Sequence, residues 1–590
     1  MVTPAGDTCR LADRVFLISM PRPNPSNTFI AAVIGSVVAG CAAIPPAPAK
    51  LDARKSIVVA AVAHPGGETP EWWFRNGAAA ASRAGASSSG NPRNVIVFLG
   101  DGMSITTIAA ARILEGQRKG QSGEENRLSF EDFPYTALSR TYNVDAQTPD
   151  SAGTMTAIMS GVKVRLGSVN VNQRARRGSC AAAQGNETIS LLELASAAGM
   201  ATGVVTTTRI THATPAATYA HVSERQWEND AKLPAAAVAE GCSDIARQLI
   251  DFPIAGGPNV AFGGGRGNFL PRGSIDPADA NQHGVRQDGR DLTAEWAARP
   301  GASYVWNAQQ LAALDPARSE HVLGLFAYSN LDYDVDRRRN SGTQPSLAEM
   351  TRAAIGLMEK RDQGYLLVVE GGQIDVAHHA GNAFRALDET IAFSDAVRMA
   401  DQLTSDKDTL IMVTADHSHV LTMTSYPSRG NPILGLLRGI NPDKEGGTVL
   451  VKDLDGKPFT TLNYATGPGF SAASDQQAEG PKQFPHRPKT AGKRGPRPDL
   501  THVDTTAPDY LQEAMIALKS ETHSGEDVAV FARGPGAAAV RGSLEQNVLF
   551  HLIAQSQPLI REQLCKIGSC DTNGIPVKLP ALKRLHETLQ

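Results

Sequence analysis

The stretch LLVVEGGQIDVAHHAGN, Leu366 to Asn382, puts Glu370, Asp375, His378 and His379 within ten residues, directly behind an apolar, β-branched run. Carboxylate and imidazole side chains at this density are the usual donors to divalent cations. Asp375 and His379 are spaced i, i+4, so at the start of a helix they share one face and can meet on one ion. Two further stretches repeat the theme. In DTLIMVTADHSH, Asp416 and His417 follow the run Leu410–Val413, where a turn can aim both at a second ion. In NVIVFLGDGMS, Asp101 stands between two glycines, which let the chain turn sharply and bring the carboxylate inward. Donor sets of this mixed kind suit zinc in an open catalytic site. Glu370, and Thr214 in HATP, offer only oxygen, which suits a harder ion such as magnesium. No CxxC pair occurs, which argues against a cysteine zinc site.

A nucleophile candidate lies in TPDSAGTMTAIMSG. Ser151 stands where a helix should begin, and a hydroxyl there meets unpaired N–H groups and the positive end of the helix dipole, so an anion would bind beside it. The same position also suits a plain N-cap serine. No GxSxG elbow is present to support a serine-esterase triad.

These residues need a scaffold that delivers them to one place. Apolar runs ending in small and acidic residues recur at Asn94–Leu99, in ATGVVTTTRITHATP, in YLLVVEGGQID, in DTLIMVTADHSH and in DVAVFARGP, with helix-like segments such as Thr188–Ala198 and Ala383–Leu403 between them. Strands alternating with helices predict an α/β fold, a central and mostly parallel sheet with helices on both faces. In such sheets ligands bind beyond the carboxyl ends of the strands, where the acidic residues and histidines recur. The chain has 590 residues, a net charge of −3, 41% hydrophobic residues and 55 glycines. That balance fits a large globular core and gives no basic surface for nucleic acid.

The ends and one insertion depart from this pattern. Residues 1–40 read as an export leader: Thr28–Gly40 is apolar but short for a membrane span, and Val38-Ala39-Gly40-Cys41 resembles the lipobox of bacterial lipoproteins, with Cys41 lipidated. An ordinary cleaved signal peptide is the alternative. Met20 is a candidate start, leaving Arg22 as the sparse basic region. Either way a periplasmic or cell-surface location is expected. Residues 41–90, rich in Ala, Pro, Gly and Ser, read as a flexible tether. Residues 91–560 form the expected catalytic domain, with an insertion at about 420–520 whose segment EGPKQFPHRPKTAGKRGPRPD reads as an exposed basic loop. Residues 561–590 read as a tail. Four cysteines remain in the exported part, Cys180, Cys242, Cys565 and Cys570; an even number favours two disulfides, and Cys565 and Cys570 are near enough to pair locally.

In order and spacing, FLGDGMS, PDSAGT, HATPAATYAHV, VEGGQIDVAHH, TADHSH and THSGEDVAVF together resemble the alkaline phosphatase family over about residues 91–555. The resemblance implies a homodimeric α/β sandwich that hydrolyses phosphate monoesters, with two zinc ions and one magnesium ion per active site. It implies Ser151 as the nucleophile that becomes phosphorylated, close enough to the metals to be counted among their contacts. It implies Asp375, His379 and His523 at one zinc, and Asp101, Asp416 and His417 at the other. Asp101 would also reach magnesium with Thr214 and Glu370, and Arg225 in AHVSERQWEND would clamp the phosphate. His378 and His419 match no ligand position. His212, beside the magnesium site, is of the animal type. The calcium site of animal members is expected to be absent, since Ala278 in SIDPADAN and Ala327 in GLFAYSN stand where carboxylates would be needed. The cysteine layout implies a Cys180–Cys242 bridge beside Cys565–Cys570. A threonine nucleophile or a formylglycine-type motif would instead have pointed to diesters or sulfate esters.

Overall fold

The computed structural model describes Ile57, Val59 and residues 65–340, 343–493 and 495–589. The leader, the Cys41 lipidation expectation and most of the first half of the expected tether lie outside the described residues. Among those described, no helix is long and apolar enough to cross a membrane.

Eight strands carry the sheet's first part: β1 (Asn94–Gly100), β2 (Tyr135–Arg140), β3 (Ala201–Arg209), β4 (Val260–Gly264), β5 (Ala302–Val305), β6 (His321–Leu325), β7 (Tyr365–Gly371) and β8 (Thr409–Thr414). With Val528–Arg533 and Gly542–Glu545 they form one ten-stranded sheet, in the order Gly542–Glu545, β2, Val528–Arg533, β8, β1, β7, β3, β4, β6, β5. Every neighbouring pair is parallel except those of Val528–Arg533, which runs antiparallel to both β2 and β8. The predicted fold class is therefore the observed one.

The uninterrupted hydrophobicity of the central strands has its reason here, because helices cover both faces. All residues of β1, β7 and β8 are buried. The alternation of period two divides their side chains between two cores. Val95, Val97 and Leu99 join Val368 and Met412 on one face, with helices Ser151–Ser160 and Val548–Ser556. Ile96 and Phe98 join Leu367, Val369 and Val413 on the other, with helices Leu347–Met358 and Ala383–Leu403. Each such side chain contributes roughly 1.5–3 kcal/mol by leaving water. In register, Leu99 lies beside both Glu370 and Thr414, and Glu370 beside Thr206 of β3. Four neighbouring strands thus release their next residues at one edge.

Three expectations for the periphery need correcting. The tether does not hold for its second half, because Pro70–Ala84 is a helix capped by Thr69, whose side chain accepts from Trp72 N, and closed by left-handed Gly85. The Ala- and Gly-rich composition serves close packing. A Cβ on Gly77 would lie 2.4 Å from the His551 ring, while Trp73 and Phe74 are fully enclosed. The segment after Cys570 is likewise no free tail, since helix Leu582–Glu587 buries Leu585 in the first core. In the insertion, the described residues of the basic segment form no helix or strand, as expected, but only part of it is exposed. Lys482 is buried, its Nζ donating to the carbonyls of Ser471, Ala478 and Gly480, and His486 is buried between Pro468 O and Ser474 Oγ. Arg487, Lys489 and Lys493 remain exposed. Both disulfides form, Cys180–Cys242 and Cys565–Cys570.

Candidate active site and metal centre

The metal-ligand candidates arrive on short turns after the strands. Asp101 is the first residue after β1, and Gly102 follows in a left-handed conformation, φ +68°. A Cβ on Gly102 would lie 2.3 Å from the His419 ring, so only glycine fits this close approach. Gly102 N donates to Asp416 Oδ1 at 3.0 Å, tying the ends of β1 and β8 together. Asp375 and His379 lie on helix Gln373–His379 behind β7, one turn apart as their spacing required. His523 arrives from the far end of the chain through a two-residue antiparallel pairing, His523 with His419 and Ser524 with Ser418.

Two triads of donor atoms result. Asp375 Oδ1 lies 3.3 Å from His379 Nε2 and 3.3 Å from His523 Nε2, and those two nitrogens are 3.1 Å apart. His417 Nε2 lies 3.3 Å from Asp101 Oδ1 and 3.3 Å from Asp416 Oδ2. Ligands about 2.0–2.1 Å from a tetrahedral zinc stand roughly 3.3 Å from one another, so the three edges of the first triad and the two edges at His417 in the second match those of a zinc site. The hydrogen bonds behind the ligands agree. His379 Nδ1 and His523 Nδ1 face the carbonyls of Glu521 and Pro149 at 2.7 and 2.8 Å, which places the proton on Nδ1 and leaves Nε2 as a lone pair for metal. A third group, Asp101, Glu370 and His212, lies within ligand distance of one another. Thr214 Oγ1 is 3.4 Å from Asp101 Oδ2. Glu370 spends Oε2 on the hydroxyls of Thr206 and Thr208, while its buried Oε1 and Asp101 Oδ1 have no hydrogen-bond partner. Unpartnered buried oxygens cost free energy unless something else meets them, and a divalent cation fits that role.

The charges point the same way. Burial, then Asp416, raises Asp101 well above the usual carboxylate range, and burial raises Glu370 to about 7. Burial and the neighbouring His523 keep His417 neutral, the form in which imidazole binds metal. Burial alone would raise Asp375, but the adjoining imidazoles, His379 first, hold it ionised.

Ser151 is buried at the first position of helix Ser151–Ser160, its Oγ 3.1 Å from His417 Nε2. It is not the cap: Asp150 is, its Oδ1 accepting from Gly153 N at 3.2 Å. The hydroxyl is thereby left free for other work. Asp150 Oδ2 accepts from Arg225 Nη1 at 3.0 Å, and Arg225 Nη2 lies 3.1 Å from His212 Nε2. Burial and Arg225 push His212 down to about 3, so it is a neutral acceptor beside the arginine.

All nine residues expected at the metals therefore lie together, with Arg225 joined to them through Asp150 and His212. Sequence reasoning expected His419 to be no ligand but a partner of the ligands or a surface residue, and the structure makes it a partner; Glu521 it missed. His419 is buried, with Nε2 2.7 Å from Asp375 Oδ1 and Nδ1 on Glu521 Oε2. Burial alone would push it down, but Glu521 and Asp375 together raise it to about 10. Both ring nitrogens are occupied, so His419 is a cationic brace for Asp375 rather than a ligand. The signal for Glu521 is its place two positions before His523, as His417 stands two before His419. His378 joins Thr107 Oγ1 and Tyr464 OH at 3.0 and 2.8 Å and its ring stacks on His419 at 4.8 Å, so it supports that brace and binds no metal itself. Of the residues at the expected-absent calcium site, Ala278 and Ala327 supply no side-chain oxygen, and the neighbouring Asp276 is spent on Arg266.

Comparison with known proteins agrees with this geometry. The family described as alkaline phosphatase matches residues 92–559. The tissue-nonspecific isozyme of alkaline phosphatase from Gallus gallus is 44% identical over 470 residues, covering 78% of this chain and 84% of its own. The alkaline phosphatase of Gadus morhua is 43% identical over 468 residues, 78% of this chain and 91% of its own. Among solved structures, Thermus thermophilus alkaline phosphatase superposes with a TM-score of 0.55 at 23% identity, over 80% of this chain and 92% of its own. The cold-active enzyme of a Shewanella species gives 0.51 at 21% identity, over 79% and 100%. These two support the fold, and the closer sequences support the activity. The chain belongs to the alkaline phosphatase family, hydrolases of phosphate monoesters.

Proposed function

We propose that Ser151 is the nucleophile, transferring phosphate from a monoester to its own Oγ before water releases it, at a centre built for two zinc ions and one magnesium ion. The observation that carries this reading is Ser151 Oγ lying 3.1 Å from His417 Nε2 while Asp150, the residue before it, holds Arg225. Asp375, His379 and His523 would hold one zinc; Asp101, Asp416 and His417 the other; Asp101, Thr214 and Glu370 the magnesium. Bound there, the cations supply the positive charge that favours an ionised serine oxygen and a departing alcohol oxygen.

The chain's own residues do the rest. The start of helix Ser151–Ser160 turns its N–H groups towards the incoming anion. Arg225 uses one donor on each terminal nitrogen for Asp150 and His212, which leaves the others for two phosphate oxygens. Asp150 fixes both parts at once, capping the nucleophile's helix and aiming the arginine. His419 and Glu521 hold Asp375 in place from behind.

The test is direct. After the metal-loaded enzyme is mixed with an aryl phosphate and quenched in acid, mass spectrometry should find one phosphate on the peptide carrying Ser151. Phosphate-free Ser151 in an enzyme still turning over, or near-normal turnover by Ser151→Ala, would remove the serine from this role. A homodimer and a lipid anchor at Cys41 belong to the same reading. The family likeness supports the first, and the leader-like sequence with two disulfides supports export. Sedimentation of the purified chain and lipid analysis of the mature amino terminus test them.

A further inference from the structure

Arg225 is held from its far side by residues that the reading above leaves unused. Arg177, in RARRGSC, lies so close to Gly167 that an added Cβ would stand 2.3 Å from the guanidinium carbon. It pairs side-on with Glu224, Nε to Oε2 at 2.8 Å and Nη2 to Oε1 at 3.1 Å. Glu224 is the residue before Arg225. Gly167 itself serves both parts of the clamp: its carbonyl accepts from Arg225 N at 2.9 Å, and its N–H donates to Asp150 Oδ1 at 3.0 Å. Asp150 Oδ2 then accepts from Arg225 Nη1, closing the ring.

The same two segments are stitched again beside this ring. Gly178 N donates to Ser223 O and Ser223 Oγ to Ser179 O, each at 3.0 Å, and the next residue, Cys180, is bridged to Cys242. An ordinary surface ion pair contributes little, and these side chains are 40% and 19% exposed. This pair differs because it is bidentate and because its two ends rest on the two neighbours of the clamp, Gly167 and the Glu224–Arg225 peptide.

We propose that Arg177 and Glu224 are a positioning pair for phosphate binding: they fix the backbone that presents Arg225 without touching the substrate. This rests on the reading of Arg225 as the phosphate clamp. Loss of the pair leaves every donor present but lets the 223–226 backbone shift, and a small misplacement of a bidentate group costs much of its grip.

The test uses the full metal-loaded chain, an aryl phosphate as substrate and inorganic phosphate as competitive inhibitor, with metal content and melting temperature measured alongside. For Arg177→Ala and for Glu224→Gln, the KM and the inhibition constant for phosphate should each rise roughly five- to tenfold, with kcat within about twofold of wild type. The double variant should add little to either single change, and Arg177→Lys should recover part of the loss. An unchanged inhibition constant in Arg177→Ala would overturn the proposal, as would kcat, metal content and melting temperature falling together. Arg225→Ala separates the two readings. If it raises the inhibition constant while Arg177→Ala does not, the positioning pair alone fails; if it leaves the constant unchanged, the clamp reading fails and takes the pair with it.

Discussion

Two regions of this molecule bury charged side chains, and they do so in opposite ways; in the first only Asp288 reaches solvent. Around residues 244–288, Arg266 Nε and Nη2 meet both oxygens of Asp276 at 2.6 and 2.7 Å, and Arg286 holds Asp244 through two bonds of 3.0 Å and Asp288 through two more. Every one of those carboxylates faces a guanidinium. At the strand ends, Asp101, Glu370 and Asp416 are equally buried but crowd one another, and Asp101 Oδ1 and Glu370 Oε1 have no partner. Paired buried charge is structure, costly to break and inert in chemistry. Unpaired buried charge of one sign is a place kept for a cation, and the chain tolerates it because function requires it.

This contrast can be broken or sharpened from either side. The largest effect should come from Asp101, which belongs both to the second triad and to the group with Glu370 and His212: Asp101→Asn should lower kcat on the order of ten-thousandfold and reduce bound metal, with folding intact by circular dichroism. Near-normal turnover with full metal content would end the assignment. On the paired side, Asp276→Ala leaves Arg266 buried and alone, so stability should fall by about 3–5 kcal/mol in urea titrations, while the folded fraction keeps its kcat. A comparable loss of specific activity would mean that the two regions are not separable. Chelation should act on the strand ends only. If metal is held at about a thousandfold above its dissociation constant, its removal should cost roughly 4 kcal/mol of apparent stability, with the loss reversed by added zinc and magnesium. A melting curve indifferent to chelator would argue that the unpaired oxygens are met by something else.

The smallest effect concerns a buried group outside both regions. Burial lowers His551 to about 3, below its ordinary value. Its contribution is therefore complete above about pH 6.5 and is lost as pH falls towards the folded value, because the unfolded chain then binds a proton the folded chain refuses. That amounts to about 1.4 kcal/mol by about pH 5.5. The difference in urea midpoint between neutral pH and that pH should shrink in His551→Gln; an unchanged difference would assign the acid sensitivity elsewhere.

How legible each feature was in the sequence depended on the physics behind it. The central strands were readable because burial on both faces demands unbroken apolar runs, and the ligands because a parallel sheet brings its strand ends together. Asp375 and His379 followed from the helical period alone. Their grouping with His523, about 144 positions away, came from likeness to a family and from nothing local. The helix Pro70–Ala84 was misread because small residues look alike in a linker and in a tight helix contact; EWWF, two tryptophans and a phenylalanine beside that run, was the overlooked sign of burial. For His419 the sequence leaves a partner of the ligands and a surface residue as alternatives, because a brace is recognised only by what it touches, here Asp375 and Glu521. Lys482 in the basic segment was read as solvated, since three backbone carbonyls converging on one ammonium leave no mark in the sequence.

One consequence follows from the register of β1, β7 and β8. Their last residues lie side by side: Glu370 is in β7 itself, and Asp101, Asp375, Asp416 and His417 come one to four positions beyond the strand ends. Neighbouring strands are about 4.8 Å apart, so the sheet delivers the ligands of one strand end within reach of those of the next. There is accordingly no slack in chain length at these turns. A single residue inserted between Thr414 and Asp416, or between Leu99 and Asp101, would swing a carboxylate to the wrong side. The chain beyond His419, by contrast, runs for about a hundred positions before Glu521 and His523 return to the centre, and within it length can vary without disturbing the spacing of the ligands. Gain and loss of residues in related chains should therefore collect between those two histidines and be nearly absent from the strand ends.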